Sequence, residues 1–248
     1  MDLNDIVVQQ FDGIASFYDD RSASRQKYLD RIDDRIIEFL QNETDLEALD
    51  VGTGTGTRAA KLKSALSVRK FCACDVSPQM VEIAKTKGLD DVRVAGMPHL
   101  PYEQSNFNVL TCLFNAFGYV YPESARKETL RNFYNLLRPR GYLFIDVLNR
   151  WNLGEGVSFK KSRSKVLKEL LLSMLSPKLE YGDVMFDLVD EQGVLRPAYF
   201  HSFTKKEMRN LLEEAGFQIE LESIVGYDSG ETRGHHTEGQ LFYVCSKI

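Results

Sequence analysis

The stretch LEALDVGTGTGTRAAKLKSAL, from Leu46 to Leu66, decides the fold of this chain. It begins with a short apolar run that ends at Asp50 and Val51, and it continues through three glycines that alternate with threonines. The apolar run has the length of a buried strand, whereas residues 58–66 have the spacing and composition of a helix. Because glycine adopts positive φ freely and has no side chain, the turn between them predicts a cofactor-binding site.

The spacing of these glycines excludes two nucleotide-binding motifs. A dinucleotide-binding turn reads G-x-G-x-x-G, and a phosphate-binding loop ends in Gly-Lys-Ser/Thr, whereas this turn reads G-x-G-x-G without a lysine. The pattern D-x-G-x-G-x-G resembles the first motif of class I S-adenosylmethionine-dependent methyltransferases. The resemblance implies cofactor contacts from Asp50, Gly52, Thr53, Gly54 and Gly56.

A second motif follows at the expected distance. The apolar run from Val68 ends at Asp75, which lies 19 residues after Gly56, and doubly wound folds place there an acid that binds the ribose hydroxyls. Ser77 and Pro78 predict the start of a helix that runs to Lys87. The phrase CDVSPQMVEIAK resembles the corresponding motif of the methyltransferases, which implies that Val76 and Met80 pack beside the adenosine.

A third region, residues 92–120, predicts a short strand, a turn and a buried strand. The family commonly reads G-D-A-x-x-L-P-F here, and this chain has Gly96 where the family offers a carboxylate to the adenine. The resemblance therefore assigns adenine recognition to the backbone near Met97. After the buried strand comes LFNAFGY, in which Phe114 and Asn115 are candidate cofactor or acceptor contacts and Tyr119 is a more distant one.

The N-terminal residues 5–41 have helical spacing and predict two helices. The element F-Y-D at residues 17–19 resembles one that closes over the cofactor and acceptor in many small-molecule methyltransferases. This resemblance implies that Tyr18, and with it Arg21, contacts the cofactor.

Composition limits the class of protein. A chain of 248 residues, 43% of them hydrophobic, fits one α/β domain. A net charge of −5 disfavours a nucleic-acid partner, and without a signal peptide or an apolar run of about 20 residues we expect a cytoplasmic protein. The four cysteines lack metal-binding spacing, and the adjacent His235 and His236 do not share a strand face, so we expect core thiols and no metal site.

Residues 150–203 are the least familiar part, and we expect them to form a cap that binds the acceptor. Residues 160–175 predict a basic amphipathic helix, and two strands joined near residues 191–193 follow it. The helix carries Lys160, Lys161, Arg163, Lys165 and Lys168, and the aromatic side chains available to line a pocket are Phe186, Tyr199, Phe200 and Phe203. His201 is the candidate catalytic proton acceptor. Asp146 and Asn149, at the end of a preceding strand, are candidate acceptor contacts.

The closing region resembles the family again, with a helix capped by Thr204 and ended by Gly216, and then an antiparallel hairpin. The resemblance implies an α/β, doubly wound, mostly parallel sheet of seven strands in the order 3-2-1-4-5-7-6, with the last strand antiparallel. We expect a single domain comprising an N-terminal helical lid (1–43), a cofactor-binding core (44–149), the cap (150–203), and the C-terminal helix and hairpin (204–248).

The resemblance implies methyl transfer from S-adenosylmethionine, and the compact aromatic cap favours a small-molecule acceptor methylated on N, O or C by in-line displacement. Two alternatives stay open. An RNA methyltransferase, for instance one that acts on tRNA, would use the basic helix. A regulatory module that binds S-adenosylmethionine without catalysis is favoured by Gly96.

Overall fold

A computed structural model describes residues 2–154 and 179–248. The ten strands are β1 (Leu46–Val51), β2 (Val68–Asp75), β3 (Asp91–Val94), β4 (Phe107–Cys112), β5 (Leu137–Val147), β6 (Asp183–Val189), β7 (Leu195–His201), β8 (Phe217–Val225), β9 (Thr232–Arg233) and β10 (Gln240–Lys247), all within the described residues. In the same ranges, the α-helices are α1 (Leu3–Asp12), α2 (Tyr18–Ser22), α3 (Gln26–Leu40), α4 (Thr57–Ala65), α5 (Pro78–Ala84), α6 (Glu123–Leu136) and α7 (Lys205–Glu214).

The central sheet has the order β3-β2-β1-β4-β5-β10-β8-β9. Strands β1 to β5 are parallel, and β10 runs antiparallel to both β5 and β8. The predicted class and strand order are confirmed, with β8 and β10 as the sixth and seventh strands. The predicted number was one too low, because β9 is a two-residue strand that pairs with the end of β8. A strand that short has no alternating pattern for the sequence to reveal.

Helix starts follow the chemistry of their capping residues. The Ser77 hydroxyl accepts a hydrogen bond from the Met80 amide at 3.1 Å, with Pro78 at the first helical position. Thr204 and Glu207 form a reciprocal capping box at the start of α7. Both caps confirm the predicted helix starts. The predicted basic helix, residues 160–175, lies outside the described residues.

The N-terminal residues differ from the prediction of two helices. Helix α1 ends before Gly13, and a single turn, α2, follows before α3 begins at Gln26. Short 3₁₀ turns at residues 15–17 and 23–25 join these helices. Hydrophobic spacing continues across the breaks, which is why periodicity alone merged α1 and α2.

The sheet is packed on both faces. Leu49 and Val51 face the side covered by α6 and α7, whereas Ala48 faces Ile32 and Ile36 of α3. All four cysteines are buried free thiols, which confirms the expectation from their apolar surroundings. Strands β6 and β7 form a separate antiparallel hairpin, and α1 packs against β7. No helix in the described ranges has the length and apolarity needed to cross a membrane.

Candidate functional site

A cavity of about 480 Å³ opens at the carboxyl ends of β1, β2 and β4, where a doubly wound sheet binds its ligands. The glycine turn and the turn after β4 form its floor, and α1, α2 and the β6–β7 hairpin contribute its other walls. Nine of the predicted cofactor residues line it: Tyr18, Gly52, Gly54, Asp75, Val76, Gly96, Met97, Phe114 and Asn115.

The glycine turn has left-handed backbone at all three glycines, with φ of 75° at Gly52, 58° at Gly54 and 75° at Gly56. A Cβ at Gly52 would lie 2.5 Å from the Cβ of Ala116, so the turn can approach the residues after β4 only with glycine there. A Cβ at Gly54 would meet the Tyr18 ring at 3.4 Å. The backbone of the glycine turn, free of side chains, therefore forms a surface of the cavity near Tyr18 that a ligand can approach closely.

Asp75 ends β2 and is buried beside the glycine turn. One carboxylate oxygen accepts a hydrogen bond from the Gly54 amide at 2.8 Å, and the other accepts one from the Ser77 amide at 2.9 Å. Burial raises its pKa to about 6, although these two bonds favour the ionised form. At neutral pH the group is therefore an ionised acceptor, which suits ribose hydroxyls.

Four predicted cofactor residues do not line the cavity: Asp50, Thr53, Gly56 and Met80. The Asp50 carboxylate accepts a hydrogen bond from the Thr111 hydroxyl at 2.6 Å, so it joins β1 to β4. A Cβ at Gly56 would lie 2.9 Å from the Cβ of Ala84, because this glycine packs against α5. Met80 is fully buried in an apolar cluster behind the site. In this structure these residues shape the turn from behind.

The turn after β4 is held in an unusual conformation. Phe114 and Asn115 are both left-handed, with φ of 57° and 63°, which costs energy for residues with side chains. Hydrogen bonds to the buried Asp146 offset the cost of this backbone conformation. One carboxylate oxygen accepts a hydrogen bond from the Phe114 amide at 2.6 Å, and the other accepts one from the Tyr28 hydroxyl at 2.6 Å. Asp146 therefore lies behind the cavity, whereas Asn149 lines it.

Helix α2 is held on the glycine turn by a contact that the sequence did not predict. The Asp19 carboxylate accepts hydrogen bonds from the Thr55 hydroxyl at 2.6 Å and the Thr57 hydroxyl at 2.7 Å. These bonds place the Tyr18 ring above Gly54. The threonines that alternate with the glycines were the available signal, since their hydroxyls need partners once the turn is covered.

Polar residues of the N-terminal and C-terminal regions also reach the cavity without having been predicted. Arg25 lines it, forms an ion pair with Asp228 at 2.5 Å and stacks over the Tyr227 ring at 4.7 Å. Gln10 is buried in the wall, and its side-chain oxygen accepts from the Tyr199 amide at 3.1 Å. Arg21 and Tyr119, both named from the sequence, line the same cavity.

Of the four aromatic side chains of the cap that were predicted to line a pocket, two line the cavity. Phe186 and Phe200 line the cavity, whereas Tyr199 and Phe203 do not. Tyr199 lies on the opposite face of β7, where its hydroxyl donates to Asp183 at 2.8 Å, and Phe203 stacks on Phe117 at 5.4 Å. Alternation along the strand decides this, because neighbouring side chains point to opposite faces.

The structure does not bring His201 to the cavity. Its ring is 1% exposed, with Nδ1 2.6 Å from the Asp183 carboxylate and Nε2 2.9 Å from the Glu207 carboxylate. Nε2 also lies 3.3 Å from the Arg150 guanidinium, so both ring nitrogens are engaged by protein groups and neither faces a ligand in the cavity. This position conflicts with the expected role as proton acceptor and gives His201 a structural role between the cap and α7.

The residues of the cavity fit S-adenosylmethionine. Asp75 is a buried acceptor of the kind that ribose hydroxyls need, the glycine turn leaves its backbone free of side chains, and Val76 and Met97 line an apolar part of the cavity that suits an adenine. Gly96 belongs to that slot, since a Cβ there would lie 3.1 Å from the Val76 side chain.

Comparison with known proteins supports this assignment. The model of the methyltransferase-domain family matches residues 48–141. Glycine/sarcosine N-methyltransferase of Aphanothece halophytica is 27% identical over 220 residues, which cover 84% of this chain and 78% of that protein. Demethylmenaquinone methyltransferase of Thermotoga maritima is 30% identical over 112 residues, 45% of this chain and 47% of that protein.

Among solved structures, a possible histamine N-methyltransferase from Thermotoga maritima is similar with a TM-score of 0.64 at 19% identity, covering 97% of this chain and 99% of that one. A likeness at that identity establishes the fold alone. The sequence match, by contrast, spans the glycine turn, Asp75 and the turn after β4, which are the residues that shape the cavity floor. Residues 48–141 therefore match the methyltransferase-domain family, and the fold and the cavity are those of an S-adenosylmethionine-dependent methyltransferase.

Proposed function

We propose that this enzyme methylates a small molecule on N, O or C. The observation that carries the proposal is the cavity itself: at about 480 Å³ it lies within the range of roughly 300–1,000 Å³ typical of small-molecule sites. Helix α1 and the β6–β7 hairpin cover it with Phe11, Phe186 and Phe200. The similar proteins named above are named for small acceptors, which supports the same reading.

The residues of the chain act by binding and positioning. When bound, S-adenosylmethionine would supply a methyl carbon on a sulfonium, so that the acceptor's lone pair would form the new bond as the C–S bond breaks and its electron pair returns to sulfur. Asp75 and the glycine turn fix the cofactor, and the turn at Phe114 and Asn115 borders the space beside it. The aromatic cover keeps water away from the reacting atoms.

No cavity-lining side chain among the described residues is placed to act as a general base. Asp75 is committed to the Gly54 and Ser77 amides, and burial raises the pKa of Tyr18 far above neutrality. We therefore propose that the acceptor reaches the site in its nucleophilic form, as a neutral amine does by losing its proton to water.

The test has two steps. Calorimetry with S-adenosylhomocysteine on the full chain measures cofactor binding, and an assay with methyl-labelled S-adenosylmethionine then compares a panel of small amines, hydroxy compounds and acids with bulk tRNA. We expect label transfer to a small acceptor at a rate insensitive to moderate salt. Transfer to tRNA alone, with steep salt dependence, would overturn the proposal in favour of an RNA acceptor. Cofactor binding without transfer to any acceptor would support a regulatory module instead.

A further inference from the structure

Arg21 lines the cavity from α2, and the described part of the chain supplies no counter-charge to it. Within residues 2–154 and 179–248, no carboxylate or carbonyl bonds to its guanidinium. The other arginine of the cavity differs, because Arg25 is paired with Asp228 and stacked over Tyr227. An arginine that reaches a cavity with all its donors unused is ready to bind an oxygen anion from a ligand.

The Tyr119 hydroxyl adds a second donor at the same wall. Burial raises the pKa of Tyr119 to about 12, although nearby Arg21 and a hydrogen bond from Gln10 act in the opposite direction. Tyr119 is therefore a neutral phenol at physiological pH. As a neutral phenol in the cavity wall, Tyr119 can donate its hydroxyl proton to a ligand.

The charge of the cavity favours the same kind of ligand. Asp75 is the one acidic side chain among the described residues that line it, and both of its oxygens are engaged by backbone amides. The part of the cavity wall formed by Arg21 and Tyr119 thus presents hydrogen-bond donors, and no acidic side chain of the described lining lies with them. A cationic ligand would be repelled there, whereas an anionic oxygen group would satisfy donors that lose water when the cavity fills.

The cofactor itself also carries a carboxylate, which is a second oxygen anion to be considered at Arg21. The positions of Arg21 and Arg25 distinguish this carboxylate from an anionic group on the acceptor. Were the adenosine held by Asp75 and Met97, Gly52 and the turn after β4 would be the part of the cavity floor left for the other end of the cofactor. Tyr227 lies beside that turn, with its ring centroid 6.2 Å from that of Phe114, and the Arg25 guanidinium stacks over the Tyr227 ring. Arg21 lies instead with Tyr119 and Gln10, next to α1 and the cap.

We propose that the methyl acceptor carries an anionic oxygen group, a carboxylate or a phosphate, which the Arg21 guanidinium and the Tyr119 hydroxyl bind. The inference rests on the proposed small-molecule activity and narrows its substrate class.

The first test uses small anions as probes, so it does not depend on knowing the acceptor. Inorganic phosphate and acetate are titrated into the full chain saturated with S-adenosylhomocysteine. We expect saturable binding in the low-millimolar range, weakened about tenfold or more by Arg21→Gln and partly restored by Arg21→Lys, because the lost contact is a charged hydrogen bond. The matched control is Arg35→Gln, an arginine of α3 outside the cavity. Absence of saturable binding by the wild type, or equal binding by Arg21→Gln, overturns the proposal.

The second test distinguishes the acceptor from the cofactor. Calorimetry should give Arg21→Gln an affinity for S-adenosylhomocysteine within about twofold of the wild type, whereas a tenfold loss would mean that Arg21 holds the cofactor carboxylate and would overturn the proposal. A wild type that does not bind S-adenosylhomocysteine would contradict the proposed function itself. For any amine that is methylated, the acid and its carboxamide, such as glycine and glycinamide, are compared. The acid should be preferred by the wild type, and Arg21→Gln should lose that preference.

Discussion

Asp75 illustrates how a single binding residue works against the stability of the free protein. Its pKa in the folded chain is raised to about 6 by burial, above the value of an unfolded aspartate. The ionised form is therefore the less favourable one in the fold: it lowers stability above about pH 6, and this cost disappears as the group is protonated at lower pH. In the proposed complex, hydroxyl donors from the ribose would offset that cost, so we expect the carboxylate to be better satisfied with the cofactor bound.

From this we predict a pH dependence of cofactor binding. The affinity for S-adenosylhomocysteine should be constant above about pH 7 and fall below about pH 6, approaching tenfold per pH unit, because a proton on Asp75 competes with the ribose hydroxyls. Calorimetry between about pH 5 and pH 8 measures it. Asp75→Asn should bind weakly with little pH dependence. An affinity that stays flat in the wild type would show that Asp75 does not bind the ribose in its ionised form.

At the scale of elements, α2 depends on its contacts for its position. It spans five residues and has no side-chain N-cap, so it is too short to be stable as an isolated helix. The Asp19 carboxylate fixes it to the glycine turn through the hydroxyls of Thr55 and Thr57. The same turn of helix carries Tyr18 and Arg21 into the cavity. We therefore expect cofactor binding and the placement of these side chains to be coupled through Asp19.

We predict that Asp19→Ala weakens S-adenosylhomocysteine binding by roughly threefold to thirtyfold, because α2 then samples positions away from the glycine turn and the binding-competent state is less populated. The matched control is Asp20→Ala, since the neighbouring carboxylate is exposed and forms no hydrogen bond with the described residues. Global stability by urea denaturation should change by less than about 1 kcal/mol in either variant. Equal affinities of the two variants would contradict the coupling.

For the molecule as a whole, the sequence predicted the strands and motifs that leave a local pattern of residues. Apolar runs that end in acids and turns gave the strands at Leu46, Val68 and Phe107, and the motifs at Asp50 and Asp75 gave the cavity floor. Contacts between distant segments were not predictable, since the pairing of Asp19 with Thr55 leaves no periodic trace in the sequence. Neither was the division of cofactor residues into those that line the cavity and those behind it.

Strand β7 of the cap shows most clearly why some side-chain positions could not be predicted from the sequence. Tyr199, Phe200 and His201 are consecutive and all buried, because β7 is covered on one face by the cavity wall and on the other by α1 and α7 contacts. A strand buried on both faces has no alternation of polar and apolar residues. The sequence therefore could not tell that Phe200 faces the cavity and His201 faces away, and the catalytic role expected for His201 followed from that gap.

The position of His201 leads to a prediction for how the cap is held. The ring lies between Asp183 of β6 and Glu207 of α7, and Arg150 also bonds to Glu207 at 2.8 Å. Burial opposes ionisation of both carboxyls, but hydrogen bonds from His201 and the neighbouring donors outweigh it and lower the pKa of each. This depression stabilises the fold above about pH 4 and is lost as the pH falls through the lowered values.

Replacing His201 with Leu should therefore destabilise the protein by about 3 kcal/mol at neutral pH, because the Asp183 carboxylate stays buried and loses the hydrogen bond from the His201 ring. Urea denaturation measures the loss, and His201→Gln should recover part of it by donating to one carboxylate. His99→Leu is the control, since that histidine is 83% exposed and should change stability by less than about 0.5 kcal/mol. In the folded His201→Gln protein, kcat should stay within about tenfold of the wild type, whereas a proton acceptor would lose roughly a hundredfold or more. Such a loss at unchanged stability would return His201 to the chemistry and require the β6–β7 hairpin to turn its other face to the cavity.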